Sequence, residues 1–282
     1  MISVVLPAHN EASVIRRSLE RLVEGFALGE IDAVVVCNGC TDNTAEIARS
    51  VAGVRVIETD VASKTNALNL GDRAVRGYPR FYVDADVIMP GESLRMVAQI
   101  LRSGKYLAAA PRMESDMSDS NWFVRAFQQV WMELPYCREG MIAGAYGISQ
   151  EGRKRFGQFP AVTADDAFVR LHFSPAERCV VDRCTFIVKA PRTLSAMIKI
   201  KTRGYFGNHQ LRKRFPELFR ANEIRHTRPL LGLIRRPSLW PSLAVYVYVR
   251  TVSRLLGYRR YYLGNHAQWE RDETSRQVMA ST

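Results

Sequence analysis

Short apolar runs alternate with longer amphipathic stretches along the first 90 residues of the chain. Residues 2–6 are apolar and rich in β-branched side chains, and the apolar positions after them recur at spacings of three and four. The first pattern predicts a buried strand and the second predicts an amphipathic helix. The alternation continues through further predicted strands and helices at 33–36, 45–51, 54–57, 64 onward and 81–83. This order predicts an α/β fold with a mostly parallel, Rossmann-like central sheet flanked by helices.

Polar segments follow these predicted strands, at the points where each strand ends. Since the carboxyl ends of parallel strands meet at one edge of a sheet, where open α/β sheets bind their ligands, we expect these segments to form one site. Between the second predicted strand and its helix, Gly39 allows a tight turn, and Thr41 or Asp42 can cap the helix. The segments are Pro7-Ala8-His9-Asn10-Glu11, Asn38 to Thr44, Lys64 to Asn69, and Asp84-Ala85-Asp86.

The sequence Asp84-Ala85-Asp86 closes the apolar run 81–83. Carboxylate oxygens are ligands that Mg²⁺ and Mn²⁺ prefer, and such an ion is commonly shared with phosphate groups. In a strand, residues two apart point to the same face of the sheet, so both side chains could meet one ion. An ordinary pair of solvated turn residues has the same sequence pattern, and this motif alone leaves both interpretations open.

Four segments together resemble the family 2 glycosyltransferases. Residues 4–11, 38–44, 64–69 and 84–86 have the order and spacing of that family's motifs. The resemblance implies a GT-A fold, an Mn²⁺ or Mg²⁺ cofactor and a nucleotide-diphosphate sugar as donor. It implies a metal site at Asp84 and Asp86. The nucleotide-binding residues that it implies are Pro7, Ala8, His9, Asn10, Glu11, Asn38, Lys64, Asp84 and Ala85.

Two later segments resemble the family more loosely. Asp165 and Asp166 correspond to its acidic base motif, and Arg203 lies in a segment similar to the one near the diphosphate. The resemblance implies that Asp166 deprotonates the acceptor and that Arg203 is a second cationic clamp, with His209 a weaker candidate. Direct displacement with one base inverts the anomeric carbon. The residues alone favour the interpretation of Asp165 and Asp166 as an acidic pair that caps a helix predicted at 167–172, and both interpretations can hold.

Composition indicates a globular enzyme. The 282 residues are 47% hydrophobic and 24% charged, which is enough for a full core. We predict a glycosyltransferase domain over 1–222, with a nucleotide-sugar half at 1–100 and an acceptor half at 101–222. Five scattered cysteines do not suggest a disulfide framework, and a reducing cytoplasm is the simpler interpretation. Cys37 and Cys40 form a C-x-x-C pair, for which a zinc or redox role is the alternative.

All of the excess positive charge lies in the C-terminal third. From residue 190 onward there are 18 Lys and Arg against 5 Asp and Glu, whereas the first 189 residues have 22 against 23. The longest uncharged run, between Arg236 and Arg250, has 13 residues, and a membrane-spanning helix needs about 20. Tryptophan and tyrosine beside arginine are typical of a segment in a membrane interface. We therefore predict a helical, basic, aromatic extension over 223–282, which either contacts an anionic membrane or packs on the domain.

These observations favour one function over two alternatives. We predict an inverting, metal-dependent, hexosyltransferase-like enzyme that adds one sugar at a time in cell-surface glycan or glycolipid synthesis. Its acceptor is lipid-linked or a glycan, and the protein is cytoplasmic and peripheral at the inner face of the cell membrane. Nucleic-acid binding by the basic third is disfavoured because no recognition motif is present. A sugar nucleotidyltransferase is disfavoured because the loop after the first strand is acidic and lacks glycine.

Overall fold

The computed structural model describes residues 1–27, 29–134, 137, 143–222 and 232–264. The predicted extension at 223–282 therefore lies partly outside the described residues. The chain forms two compact units. The first unit comprises Met1–Glu114, Met141–Ala161 and His172–Val188, and the second comprises Ser115–Gly140, Val162–Leu171 and Lys189–Thr282. The domain boundaries that we placed at 100 and 222 stay predictions.

Helices and strands alternate through the chain. The strands are β1 Ile2–Ala8, β2 Ile31–Asn38, β3 Val54–Thr59, β4 Arg80–Val83, β5 Val87–Ile88, β6 Ala108–Asp116, β7 Ala145–Ile148 and β8 Arg178–Lys189. The α-helices with described bounds are α1 Ile15–Val23, α2 Thr44–Arg49, α3 Lys64–Ala74, α4 Gly91–Arg102, α5 Trp122–Trp131, α6 Gln150–Arg153, α7 Asp165–Arg170, α8 Leu194–Arg214, α9 Pro216–Asn222 and α10 Trp240–Tyr262.

The strands form one sheet in the order β3-β2-β1-β4-β7-β6-β8-β5. Strand β1 pairs in parallel with β2 and β4, and β2 pairs in parallel with β3. The interior of this parallel half is apolar, with Val4, Val5 and Leu6 fully buried. Helix α3 packs so closely on it that a Cβ atom on Gly71 would lie 2.4 Å from Val5 Cγ1. In the other half of the sheet, β7 pairs antiparallel with β4 and β6, and β5 pairs antiparallel with β8. The α/β fold with a mostly parallel central sheet flanked by helices is thus confirmed.

The second unit is mainly helical. Its core includes Phe127 of α5, Met197 of α8, and Tyr246 and Val249 of α10. Helix α10 approaches α8 closely, because a Cβ atom on Gly257 would lie 3.0 Å from the backbone nitrogen of Phe206. Among the helices that the structure describes, none has the length and apolar character needed to cross a bilayer. The predicted basic C-terminal helix is therefore present as α10, and it packs on this unit.

Candidate active site

Two loops at the carboxyl ends of β1 and β2 are tied together by side chains. The His9 ring donates from Nδ1 to the carbonyl oxygen of Asn38. Asn10 has a positive φ of 52° and exchanges hydrogen bonds with Thr41, whose backbone N–H lies 2.7 Å from Asn10 Oδ1. The buried Glu11 donates its backbone N–H to Thr44 Oγ1 at 2.7 Å. These contacts hold the predicted nucleotide-binding loop in one conformation.

Asn38 is a buried amide at the end of β2, with Pro7 and Ala8 buried on the neighbouring strand. Its Nδ2 donates to the carbonyl oxygen of Ala8 at 2.7 Å. Its side-chain oxygen has no hydrogen-bond partner within the described part of the chain. A buried acceptor that lacks a partner is costly, so it is a candidate to receive an N–H from a ligand.

The turn after β2 depends on glycine and on Asp42. Gly39 has a φ of +59°, and a Cβ atom there would lie 2.8 Å from Ala62 Cβ. Asp42 accepts the backbone N–H of Thr44 at 3.1 Å, which satisfies a donor at the start of α2. It also accepts the backbone N–H of Ala12 at 3.2 Å. The N-cap residue of α2 is Asn43, which makes no side-chain cap hydrogen bond, so neither Thr41 nor Asp42 is the cap that we predicted. Asp42 instead links the start of α2 to the first loop.

Asp84, Ala85 and Asp86 form a turn between β4 and β5. The Asp84 N–H donates to the carbonyl oxygen of Gly144 at 2.7 Å, and its own carbonyl accepts the N–H of Val87 at 3.1 Å. Strand β4 ends at Val83, so the alternation of side chains along a strand does not fix the direction of the two carboxylates. Ala85 is buried, whereas both aspartates are partly exposed.

Lys64 lies at the first position of α3 and reaches the same turn. Its Nζ atom is 2.7 Å from Asp84 Oδ1, and the two side chains are 23% and 35% exposed. Ser63 caps the helix by accepting the backbone N–H of Asn66. The structure therefore brings together two predicted nucleotide-binding residues, one cationic and one anionic.

The donor atoms at this turn fit a hard divalent cation. Asp84 and Asp86 offer carboxylate oxygens, and Mg²⁺ or Mn²⁺ in nucleotide enzymes commonly binds one or two carboxylates together with water and phosphate. Within the described ranges, no group of three or more His, Cys, Asp or Glu side chains could hold a metal ion. Two carboxylates therefore suit an ion shared with a diphosphate and not a closed metal site.

Asp165 and Asp166 are the first two residues of α7 in the second unit. The helix thus begins two residues earlier than predicted. Its N-cap residue is Ala164, which makes no side-chain hydrogen bond to the first turn. Asp165 is 5% exposed. Asp166 is more accessible and accepts the N–H of Ala167 through Oδ1 at 2.7 Å. Both remain acidic residues in the first turn of a helix, and their catalytic role stays a prediction.

Arg203 and His209 both lie on α8. They are six positions apart in the sequence, which at 3.6 residues per turn places them on different faces of the helix. The ring of His209 packs edge-on against Tyr258 and Tyr261 of α10, with ring centres 4.8 and 4.5 Å apart. Burial, together with nearby Lys213 and Arg212, lowers the pKa of His209. This environment favours the neutral imidazole, so Arg203 is the better candidate for a cationic clamp.

Asp72 is the centre of a buried ionic cluster that the sequence did not reveal. Its carboxylate accepts hydrogen bonds from Arg80 at 2.6 Å, from Arg153 at 2.8 Å and from the Tyr82 hydroxyl. Burial opposes ionisation of this carboxyl, but hydrogen bonds from Arg153, Tyr82 and Arg80 prevail and lower its pKa. Arg153 is 81 residues away in sequence, so no local pattern could indicate the pairing.

The Cys37 and Cys40 thiols lie beside the first loop and are not in a disulfide. Cys37 is buried, and Cys40 accepts the backbone N–H of Asn10 with 3.4 Å between nitrogen and sulfur. A hydrogen bond from the Cys37 thiol lowers the pKa of Cys40 to about 6 and correspondingly raises the pKa of Cys37. The pair therefore combines a buried thiol with a more acidic, half-buried one.

The fold and this edge of the sheet define a nucleotide-sugar glycosyltransferase of the GT-A type. The sequence pattern of the family described as "Glycosyl transferase family 2" matches residues 3–158, and the chain belongs to this family. The match favours a glycosyltransferase over a nucleotidyltransferase, and it ends before the basic C-terminal third on which the nucleic-acid alternative depends.

One curated relative is Glycosyltransferase AglD of Haloferax volcanii, which is 32% identical over 117 residues. The alignment covers 38% of this chain and 19% of that protein, so the chain spans about a fifth of the length of the relative it matches.

Solved structures of glycosyltransferases have the same fold. One is the mannosyltransferase PcManGT from Pyrobaculum calidifontis in complex with GDP-Man and Mn²⁺. It has a TM-score of 0.62 and 18% identity, over 95% of this chain and 76% of that one. Another is glucosyl-3-phosphoglycerate synthase from Mycobacterium tuberculosis with Mn²⁺, UDP-glucose and phosphoglyceric acid. It has a TM-score of 0.54 and 20% identity, over 76% and 79% of the two chains.

Proposed function

We propose that this protein is a metal-dependent, inverting glycosyltransferase that moves one sugar from a nucleotide-diphosphate sugar to an acceptor hydroxyl. The observation that carries the proposal is the cluster of Lys64, Asp84 and Asp86 at the carboxyl end of parallel strands. An ammonium group beside carboxylates supplies both charges that a diphosphate and its counter-ion need. The metal complexes of PcManGT and the glucosyl-3-phosphoglycerate synthase support the same cofactor here.

Asp84 and Asp86 would hold the divalent cation. When bound, Mn²⁺ or Mg²⁺ neutralises the negative charge that develops on the diphosphate leaving group. Lys64 stabilises the same charge directly, and Arg203 is proposed as a second cation on that group, with His209 as a weaker one. The orphaned oxygen of Asn38 is proposed to accept a hydrogen bond from the nucleotide. His9, Asn10 and Glu11 hold the loop around it in place.

Asp166 is proposed as the base that takes the proton of the acceptor hydroxyl. Its partial exposure suits a group that meets an incoming acceptor, whereas the buried Asp165 suits a supporting role. The attacking oxygen then displaces the diphosphate from the opposite face of the anomeric carbon, which inverts its configuration. Deprotonation by a positioned carboxylate contributes roughly 10²–10⁴-fold to such a step.

The acceptor is proposed to be lipid-linked or a glycan. What supports this is the excess positive charge of the C-terminal third and the aromatic residues among it. The enzyme would then be cytoplasmic and peripheral at the inner face of the cell membrane, and it would serve cell-surface glycan or glycolipid synthesis.

Titration calorimetry with UDP, GDP and TDP, in Mn²⁺ and in EDTA, tests the proposal most directly. We expect one nucleotide to bind in Mn²⁺ and to bind far more weakly in EDTA, because carboxylates without a cation repel phosphates. Equal affinity in Mn²⁺ and in EDTA would show that no metal ion takes part in nucleotide binding. The titration identifies the nucleotide. Proton NMR of the product formed from a donor sugar linked to that nucleotide then reports whether the anomeric configuration is inverted.

A further inference from the structure

Helix α10 has two apolar faces, and the residues that the structure describes cover only one of them. The inward face is lined by residues at spacings of four and three, all buried: Ser242, Tyr246, Val249, Ser253 and Gly257. The opposite face has apolar and aromatic residues at spacings of seven, eight and seven, namely Trp240, Val247, Leu255 and Tyr262. They are 58%, 57%, 63% and 71% exposed. A helix that is apolar on both sides normally has both sides covered.

Arginines border this outward face. Arg250 and Arg254 lie along one side and, with Val247, Leu255 and Tyr258, line an open groove of about 440 Å³. Arg254 donates to the Tyr258 hydroxyl at 3.3 Å, so its guanidinium lies beside an aromatic ring. Residues 232–264 contain six arginines and no aspartate or glutamate. The segment therefore has no carboxylate of its own to offset this charge.

We infer that the outward face of α10 lies in the headgroup region of an anionic membrane, with Arg250 and Arg254 on lipid phosphates. This inference rests on the proposed function and names the surface by which the enzyme meets its membrane. Tryptophan and tyrosine favour the headgroup level, while valine and leucine reach the acyl boundary. A helix of 23 residues is about 35 Å long and would lie flat along such a surface.

A second copy of the chain is a poorer occupant than a lipid surface. Two such faces would bring four arginines together, because Arg250 and Arg254 border the face in each copy and residues 232–264 contain no carboxylate to offset them. Like charges at an interface are unfavourable, whereas phosphate groups are complementary to them. Insertion across the bilayer is also disfavoured, since Arg250 and Arg254 lie in the middle of the helix.

Co-sedimentation of the full chain with vesicles tests the inference. Vesicles of phosphatidylcholine are compared with vesicles that also contain phosphatidylglycerol, at low and at high salt. We expect strong binding only to the anionic vesicles. In the variant Arg250→Gln/Arg254→Gln, the partition coefficient should fall roughly thirtyfold at low salt. The matched control Arg16→Gln/Arg17→Gln removes two exposed arginines from α1 and should leave binding nearly unchanged.

The apolar contribution is measured separately. Val247→Ser/Leu255→Ser should abolish the binding that persists at high salt, because salt screens charges but not apolar burial. Fluorescence of Trp240 should be quenched by lipids brominated near the headgroup, and the loss of this quenching in Trp240→Phe assigns the signal. Circular dichroism and nucleotide binding in Mn²⁺ confirm that each variant is folded.

Three results would overturn the inference: no preference for anionic vesicles, equal losses in the α10 and α1 arginine variants, or a lipid-independent dimer that Leu255→Ser dissociates. Nucleotide binding in the same samples separates this failure from a failure of the proposed function. If the protein binds nucleotide with Mn²⁺ but does not bind vesicles, the proposed enzymatic function stands and the proposed membrane surface is wrong.

Discussion

The ammonium group of Lys64 lies 2.7 Å from a carboxylate oxygen of Asp84. A lysine at the start of α3 thus meets an aspartate in the turn that follows β4. The pair places opposite charges where the diphosphate of a donor would have to bind. It also means that a cation bound at Asp84 must share that carboxylate with Lys64.

Replacing Lys64 by glutamine should weaken nucleotide binding in Mn²⁺ by about tenfold to a hundredfold. A hydrogen bond to a charged group is worth about 1.5–3 kcal/mol, and the neutral amide cannot balance the diphosphate charge. Calorimetry with the nucleotide that the parent binds measures the change. The control Lys154→Gln removes a lysine that also pairs at 2.7 Å, with Glu151, but on the exposed surface. Equal affinity in parent and Lys64→Gln would exclude Lys64 from the phosphate site.

Replacing Asp86 by asparagine should remove the dependence of nucleotide binding on Mn²⁺. The amide is a poorer ligand for a hard cation, and one fewer negative charge slightly favours the phosphates when no metal is present. Binding isotherms in Mn²⁺ and in EDTA should therefore converge. Asp60→Asn, in the exposed loop before α3, is the control and should keep the parent's response. A persistent Mn²⁺ effect in Asp86→Asn would show that the metal binds elsewhere.

Replacing Asp166 by asparagine should lower the rate of transfer by roughly a hundredfold or more while nucleotide affinity survives. The amide keeps the shape of the side chain but cannot accept a proton. Turnover at saturating donor, together with calorimetry, separates the two effects. Asp165→Asn is the comparison, since that side chain is buried and should affect unfolding more than transfer. If only Asp165→Asn loses the transfer activity, the base is Asp165 and not Asp166.

Replacing Asp72 by asparagine should destabilise the protein by about 3–5 kcal/mol, because it leaves the buried Arg80 and the partly buried Arg153 without their carboxylate. Urea unfolding measures the loss. The control Asp32→Asn breaks a pair with the exposed Arg55 and should cost about 0–1 kcal/mol.

The lowered pKa of Asp72 also predicts how the free energy of unfolding depends on pH. The folded state lowers the pKa of Asp72 below its ordinary value of 3.8. Its contribution is therefore fully present above that value and is lost as the pH falls through the lower, folded pKa. The difference in unfolding free energy between parent and Asp72→Asn should shrink below pH 3.8. A difference that is constant from neutral to strongly acid pH would contradict an ionised Asp72.

Cys40 should be the most reactive thiol of the chain at neutral pH. Its pKa is lowered to about 6, whereas burial raises the pKa of Cys137 to about 12 and of both Cys179 and Cys184 to about 11. The thiolate is the nucleophile, so alkylation by iodoacetamide should rise with a midpoint near pH 6 and then level off. Mass spectrometry of peptides locates the label, and Cys37→Ser should slow the reaction at pH 7. Uniform labelling of all five cysteines would contradict this environment.

The parallel half of the sheet could be predicted because each of its strands is indicated by the apolar residues of that strand alone. An apolar run such as 2–6 must be buried, and the polar turn after it must lie at an edge, whichever partners the strand has. The Asp72 cluster could not be predicted in this way, since Arg153 comes from a distant helix. The direction of the Asp84 and Asp86 side chains could not be predicted either, because it depends on a turn that Gly144, just before β7, stabilises by accepting the N–H of Asp84.

The start of α7 shows a subtler limit. Asp165 and Asp166 favour either the cap or the first turn of a helix, and both positions suit a carboxylate near the helix dipole. Sequence alone therefore placed the acidic pair before the helix instead of within it. Likewise, the aromatic and basic composition of α10 did not predict which of its residues are buried. The small residues Ser253 and Gly257 decide that, by allowing α8 to come close.

Residues 232–264 contain six arginines but no lysine, histidine, aspartate or glutamate. The arginine side chain keeps its positive charge at every physiological pH. The charge of this segment is therefore constant from about pH 5 to pH 9, and acetylation of lysine has no target in it. Acidification of the cell would not release the protein from a surface held this way. Its residence there would follow the supply of anionic lipid, so the membrane and not the enzyme would set where sugar transfer takes place.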